Sequence, residues 1–323
     1  MSSAEEVLAL VEAGGAHVPG LMQRLEERLR ELATSHGDVL AAHAGATIRA
    51  GGKRLRPLLV FLAAGEVATE NEGVLRAAVA VELIHSATLV HDDVLDAAPL
   101  RRGRPTVVAT AGRDIATATG DLLFSRAFAE LAGNGRADEI RVLSDASSGL
   151  ARGELLQRED AWNVEVTQER YLHRCDLKTA RLFQAACCLG ALEGGGEAEA
   201  LGDFGRRIGL AFQLLDDVLD VSGPAERTGK HRGTDLLDGT VTLPLILARE
   251  RDPELAQLDL RAVRTPEQAE AVCDAIARTG VLEEARHEAL ERVAAAKADL
   301  PELPEGQRAA LELVADSVAD RYA

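Results

Sequence analysis

Two short segments of the chain carry the same acidic pattern. Asp92, Asp93 and Asp96 lie in one "DDVLD", and Asp216, Asp217 and Asp220 lie in a second. On an α-helix the first and fifth positions sit about one turn apart, so Asp92 shares a face with Asp96, and Asp216 with Asp220. Three like charges within a turn repel, and the apolar residues ahead of each cluster imply partial burial, so a cation should offset the cost. Hard divalent ions that prefer oxygen ligands, Mg²⁺ foremost, fit such a set. A calcium EF-hand is excluded, because its loop needs acidic residues at alternate positions and a central glycine. One such cluster alone could be a solvated helix end. Two of them, each closing an apolar helix, favour metal sites, and the natural ligand of Mg²⁺ between two acidic walls is a polyphosphate.

The basic residues support that chemistry. Lys53 and Arg56 follow a Gly51–Gly52 turn, and Arg101 and Arg102 follow the first acidic cluster by a short loop. Guanidiniums bind phosphate oxygens bidentately and stay charged at any working pH. Lys178 and Thr179 in "CDLKTARLF" add an ammonium and a hydroxyl, and Lys230 in "TGKHRGTD" could close over a ligand. Each alone reads as an ordinary surface charge; around two metal sites they read as diphosphate ligands. His85 lies two turns before Asp92 on the same helix face, which favours a role in that cavity over one as a satisfied core histidine.

The elements that must position these residues are helical. Apolar periodicity of the helical kind runs almost throughout, and strand alternation is nearly absent. "LMQRLEERLRELA" places Leu21, Leu25, Leu29 and Leu32 on one face. "VLRAAVAVELIHSATLVHDDVLD" reads as one long, nearly apolar core helix ending in the first acidic cluster. "TPEQAEAVCDAIARTG" has Thr265 as N-cap, Pro266 in the first turn, Gln268 closing a capping box and Gly280 past the end. Pro99 to Pro105 reads as a loop, Gly194 to Gly196 as a tight linker and Ser222 to Gly239 as a long polar loop. None marks a domain boundary, so the expectation is a single all-α domain over residues 1–323.

Composition narrows the function. Apolar residues make up 46% of the 323, ample for a core, and the formal net charge is −17. An acidic surface with short basic clusters suits a small anionic ligand and argues against nucleic acid. Cys175, Cys187, Cys188 and Cys273 have no zinc-ligand spacing and are too few for a disulfide scaffold. The N-terminal "MSSAEEVLAL" lacks the basic and apolar regions of a signal peptide, and no stretch is expected to approach the ~20 apolar residues of a membrane span. The expectation is a cytoplasmic enzyme.

Seven segments then occur in order between Gly51 and Pro244: "GGKRLRP", "ELIHSATLVHDDVLDAAPLRRGRPT", "GDLLFSRAF", "GELLQ", "LKTARLF", "GLAFQLLDDVLD" and "GKHRGTDLLDGTVTLP". Together they resemble the trans-isoprenyl diphosphate synthases, the polyprenyl synthetases, and most of all the long-chain polyprenyl diphosphate synthases. Residues 1–45 and 250–323 contribute little and read as flanking helices. The resemblance implies an all-helical isoprenoid-synthase fold around a deep cavity, usually homodimeric, with the two acidic motifs across the cavity mouth. It implies Mg²⁺ as cofactor, three ions once substrate is bound, with Mn²⁺ as a substitute.

Position by position, the resemblance makes Asp92, Asp96, Asp216 and Asp220 metal ligands and groups Asp93, Asp217 and Lys178 with the catalytic residues. Lys53, Arg56, His85 and Arg102 correspond to the isopentenyl diphosphate site. Arg101, Lys178, Thr179, Gln213 and Lys230 correspond to the site of the allylic partner: dimethylallyl, geranyl, farnesyl or geranylgeranyl diphosphate. The implied reaction is a Mg²⁺-dependent head-to-tail (1′-4) condensation giving an all-trans polyprenyl diphosphate. Thr240 departs from the pattern, because relatives often carry lysine there, and that places one phosphate contact in doubt.

Ala87 and Thr88, small residues five and four positions before Asp92, are expected to leave the product tunnel open; Phe124 and Phe128 are candidates for a deeper floor, ordinary core packing being the alternative for them. The product should then exceed geranylgeranyl diphosphate in length, the alternative being a geranylgeranyl or farnesyl diphosphate synthase. A class I terpene cyclase would pair one acidic motif with an Asn/Ser/Glu triad and a pocket rich in aromatics, and this chain has only six Phe, two Tyr and one Trp. A non-catalytic partner subunit would have lost acidic or basic motif residues that are present here.

Overall fold

A computed structural model of the chain describes residues 9–12, 14–35, 37–101, 103–223 and 231–320. Helix follows helix: α1 (Val18–Thr34), α2 (Asp38–Arg49), α3 (Leu55–Ala64), α4 (Glu72–Leu95), α5 (Val107–Ala111), α6 (Arg113–Ala132) and α7 (Ala137–Asp160). Then come α8 (Gln168–Cys175), a π-helical turn (Asp176–Ala180), α9 (Arg181–Gly194), α10 (Ala198–Ser222) and the short α11 (Thr234–Leu237). The series ends with α12 (Leu243–Arg251), α13 (Pro253–Ala256), α14 (Pro266–Arg278), α15 (Val281–Ala298) and α16 (Glu305–Asp320). Two compact units emerge from the contacts: Met1–Ser147 with Leu182–Gly205 and Leu300–Val314, and Ser148–Arg181 with Arg206–Asp299 and Ala315–Ala323.

In the first unit α4 is the central helix and packs most extensively along α6 and α3. Asn71 caps its start by accepting from the Gly73 amide at 2.8 Å. By length and composition α4 could cross a membrane, contrary to the sequence expectation, because its alanines and few charges keep the window apolar. Yet 78% of that window is buried inside protein, which makes α4 a core helix. The amphipathic stripe of α1 is as expected: Leu21, Leu25 and Leu29 are buried and Leu32 half-buried.

The core of the second unit includes Tyr171 of α8, Leu214 and Leu215 of α10 and most of α12. The capping box at Thr265 and Gln268 forms as its sequence requires, with Pro266 in the first turn of α14. Two stretches read as loops carry structure. Within Pro99–Pro105, Leu100–Arg101 pairs antiparallel with Arg104–Pro105, and Gly103 at φ 73° supplies the left-handed residue of the turn. Strands of two residues leave no alternation to read. In Ser222–Gly239, α10 extends through Ser222 and α11 forms a single turn.

Candidate active site

The accessible face of α4 follows helical spacing. His85, Thr88, Leu89 and Asp92 are half-buried and Asp96 is exposed, whereas Ser86, Ala87, Val90 and Asp93 are buried. Asp92 and Asp96 thus share the open face, as the i, i+4 rule requires. The middle carboxylate turns inward, where Arg101 Nε donates to it at 2.6 Å. Burial pushes the Asp93 carboxyl above its ordinary range, against the pull of Arg101. The two chain-length candidates separate: Thr88 lies on the accessible stripe, with its hydroxyl donating to the His85 carbonyl at 2.8 Å, while Ala87 has no exposed surface. Phe124 is half-buried and stacks on His91, ring centroids 5.7 Å apart; Phe128 is half-buried one turn further on.

A cavity of about 400 Å³ opens beside this face, and its walls include His85, Glu82, Arg54, Asp93, Arg101 and Arg104. Arg101, grouped on sequence with the allylic site, therefore borders the same space as His85 of the isopentenyl site. Lys53 and Arg56 are half-buried and are not among the cavity walls; the Arg56 guanidinium stacks over the Phe183 ring at 4.5 Å. Between them Arg54 adopts a left-handed backbone, φ 47°, and sends its guanidinium inward. It meets Glu26 at 2.6 Å, Glu82 at 2.5 Å and the Ile48 carbonyl at 3.0 Å. Sequence reasoning passed over Arg54 and Glu82. The spacing of Glu82, one turn before His85, was the available signal. Arg102 lies outside the described residues, as does Lys230.

The second motif repeats the division. Asp216 is exposed and Asp220 half-buried, while Asp217 is buried. Tyr171 donates its hydroxyl to Asp217 Oδ2 at 2.6 Å, and Gln213 donates to Oδ1 at 2.7 Å. Thr179 in turn donates to Gln213 Oε1 at 2.7 Å, so Thr179, Gln213, Asp217 and Tyr171 form one chain of hydrogen bonds. Burial pushes Asp217 up to about 7, against the stabilising donors Tyr171 and Gln213. Asp220 Oδ2 accepts from the Asp235 amide at 3.2 Å and so ties α10 to the start of α11.

Lys178 and Thr179 sit in the π-helical turn between α8 and α9, a wide turn of the kind often found at functional sites. Gly153 of α7 makes the approach possible: a Cβ there would lie 2.6 Å from the Lys178 backbone nitrogen. From the same helix, Glu154 holds the Lys178 ammonium at 2.5 Å and Gln157 accepts from it at 3.1 Å. Burial works against the Glu154 charge, yet Lys178 and Arg158 hold its carboxyl below the ordinary range. Lys178, Thr179, Gln213, Asp217, Arg174 and Thr240 all border a second cavity of about 150 Å³. Glu154 and Gln157 belong to the "GELLQ" segment, so that signal was present without a role attached. Tyr171 carried none, because its partner lies far away in sequence.

Among the described residues, no group of three or more His, Cys, Asp or Glu side chains is gathered as a closed metal cage. Mg²⁺ keeps several waters and is usually held by one or two carboxylates together with substrate phosphates. The outward pairs Asp92/Asp96 and Asp216/Asp220 fit that kind of site. The buried Asp93 and Asp217, already held by protein donors, do not. All four cysteines are free, three of them buried.

The family model described as "Polyprenyl synthetase" matches residues 38–279. The chain is 39% identical to the octaprenyl diphosphate synthase of Escherichia coli (strain K12) over 265 residues, 80% of this chain and 82% of that one. It is 40% identical to heptaprenyl diphosphate synthase component 2 of Geobacillus stearothermophilus over 263 residues, again 80% and 82%. A decaprenyl diphosphate synthase from Rhodobacter capsulatus superposes with a TM-score of 0.89 at 33% identity, covering 98% of this chain and 99% of that one. Geranylgeranyl diphosphate synthases are also among the similar proteins. The chain belongs to the polyprenyl synthetase family, the trans-isoprenyl diphosphate synthases, and is a prenyltransferase.

Proposed function

We propose that this prenyltransferase condenses isopentenyl diphosphate with an allylic prenyl diphosphate, head to tail, and repeats the step to make an all-trans polyprenyl diphosphate longer than geranylgeranyl. The carrying observation is the shared division within the two acidic motifs: outer carboxylates toward the open face, the middle one buried on protein donors. The outer pairs, Asp92 with Asp96 and Asp216 with Asp220, hold Mg²⁺. Bound Mg²⁺ supplies electrostatic stabilisation for the charge that builds on the departing pyrophosphate.

The chain's own groups do the rest. Lys178, Thr179 and Gln213 orient the allylic diphosphate, joined by Lys230. His85 and Arg102, with Lys53 and Arg56, orient isopentenyl diphosphate. Fixed cations in a partly dry site stabilise the developing negative charge more strongly than water does. The homoallylic double bond attacks the allylic carbon as its bond to oxygen breaks. The proton then lost goes to the departing pyrophosphate, so no histidine or glutamate base is required. The apolar wall along α4 keeps water from the cation. The protein acts as a cytoplasmic homodimer; sedimentation of the purified protein tests the dimer, and cell fractionation its location.

Incubating purified protein with Mg²⁺, isopentenyl diphosphate and each allylic primer, with product lengths read by mass spectrometry, tests the reading. Chain elongation supports it; cyclic hydrocarbon or silence overturns it. Arg102→Ala should raise KM chiefly for isopentenyl diphosphate and Lys178→Ala chiefly for the primer, each by roughly ten- to a hundredfold for one charge-assisted phosphate contact. Identical effects of the two variants on both substrates would remove the assignment of separate sites.

A further inference from the structure

Arg174, on α8 one turn before Lys178, is a buried guanidinium that lies over the Tyr171 ring at 5.4 Å and reaches a carboxylate, Asp160, only at 3.4 Å. It is 3% exposed. Its Nη2 donates to the Val241 carbonyl at 2.6 Å, and its Nη1 reaches one oxygen of Asp160 at 3.4 Å. The other oxygen of Asp160 is held more closely, at 2.5 Å, by Arg170. Asp160 is thus shared, and it is the farther partner for Arg174, whereas Arg170 also has Glu159 at 3.2 Å. Arg54, also buried, is the contrast, since two carboxylates, Glu26 and Glu82, meet it at 2.6 and 2.5 Å. A buried charge that lacks a full partner is costly, and the cost is relieved when another anion completes the shell.

The space for that anion is beside it. Arg174 borders the cavity of about 150 Å³ together with Lys178, Thr179, Gln213 and Thr240. Two carboxylates also border it, Asp217 and Asp235. Asp217 feels the guanidinium's field, but its two oxygens accept from Tyr171 and Gln213. Asp235 makes no ion pair with Arg174 within 4 Å. Lys178 is already matched by Glu154. Thr240 is neutral and adjoins Val241, whose carbonyl Arg174 grips.

We propose that Arg174 is a binding residue for the allylic diphosphate, supplying from α8 the positive charge that Thr240 does not supply from the segment before α12. This rests on the proposed function, in which the Lys178–Thr179 cavity takes that diphosphate.

The test is a rescue. Arg174→Met should raise KM for the allylic primer by roughly ten- to a hundredfold, the size of one lost charge-assisted contact, and shift KM for isopentenyl diphosphate far less. Thr240→Lys in the Arg174→Met background should recover most of the primer KM, and the same change in the native background should not tighten it. Calorimetric affinity for inorganic pyrophosphate should follow the same order, and Arg174→Lys should fall between native and Arg174→Met. Arg174→Lys keeps the charge, so it reports even if Arg174→Met folds poorly. If Arg174→Met and Arg174→Lys lower the melting temperature while both KM values hold, or if Thr240→Lys recovers nothing, Arg174 only braces Asp160 and Val241 and the proposal is overturned. Lys178→Ala separates the two levels. If it leaves the primer KM unchanged, the site assignment fails; if it raises it while Arg174→Met does not, this inference alone fails.

Discussion

At the scale of single residues, the two "DDVLD" segments combine carboxylates with opposite tasks. Asp217 is buried with Tyr171 and Gln213 donating to it, so Asp217→Ala leaves the buried Tyr171 hydroxyl and the half-buried Gln213 amide without that acceptor and should cost about 1–3 kcal/mol of stability. Asp216 is exposed, so Asp216→Ala should change stability by no more than about 0.5 kcal/mol while cutting turnover by orders of magnitude. Urea denaturation and a prenyl-transfer assay on both variants check this together. Equal destabilisation with turnover intact in Asp216→Ala would contradict the division of labour. The outer positions were legible because i, i+4 spacing is a local property. The inward turn of the middle aspartates was not, because it depends on Tyr171 and Arg101, whose placement tertiary packing decides.

Elements set the precision of the site. The π-helical turn widens the backbone where Lys178 and Thr179 must both face the cavity, and α7 comes close enough to support it only because residue 153 lacks a side chain. In Gly153→Ala the new methyl would press on the Lys178 backbone, with 2.9 Å to its Cα, and no side-chain rotation can relieve a backbone contact. Measured KM for the allylic primer should rise and the melting temperature should fall, while KM for isopentenyl diphosphate moves little. An unchanged primer KM would show that the turn tolerates displacement. The sequence showed "GELLQ" and "LKTARLF" as separate segments; that one buttresses the other is a close-packing fact. On α4 the accessible stripe passes through Thr88 and Leu89 rather than Ala87. Thr88→Phe should therefore shorten the product, as read by mass spectrometry, whereas Ala87→Phe must displace packed atoms and should cost about 1–3 kcal/mol. Unaltered product length in Thr88→Phe would remove this face from the tunnel wall.

For the whole molecule, the helical class was legible because long apolar and amphipathic periodicities are written along the chain itself. Long-range charge burial was not. Glu139, in the first turn of α7, has no exposed side-chain surface, and Glu193, at the end of α9, is nearly as buried. Asn134 donates to Glu139 Oε2 at 2.9 Å, and Arg136 stands 3.9 Å from Glu139 and 3.6 Å from Glu193. Burial first, then the hydrogen bond and charge of Glu193, push Glu139 from 4.5 up to about 8, against Asn134 and Arg136. The folded state thus keeps a proton that the unfolded chain releases near 4.5. By linkage, stability from this group is full below that pH and is lost as pH rises through about 8. The net charge of −17 also favours unfolding as pH rises, so the wild-type decline alone cannot be assigned to Glu139. Glu139→Gln isolates it, because the amide has no proton to lose. Melting curves from about pH 5 to about pH 9, spanning both ends of the linkage window, should show the variant losing less stability than the wild type, with the gap widening from the acid end and levelling off above about 8. Parallel curves for the two proteins would mean that Glu139 ionises normally and that Arg136 alone neutralises the pair.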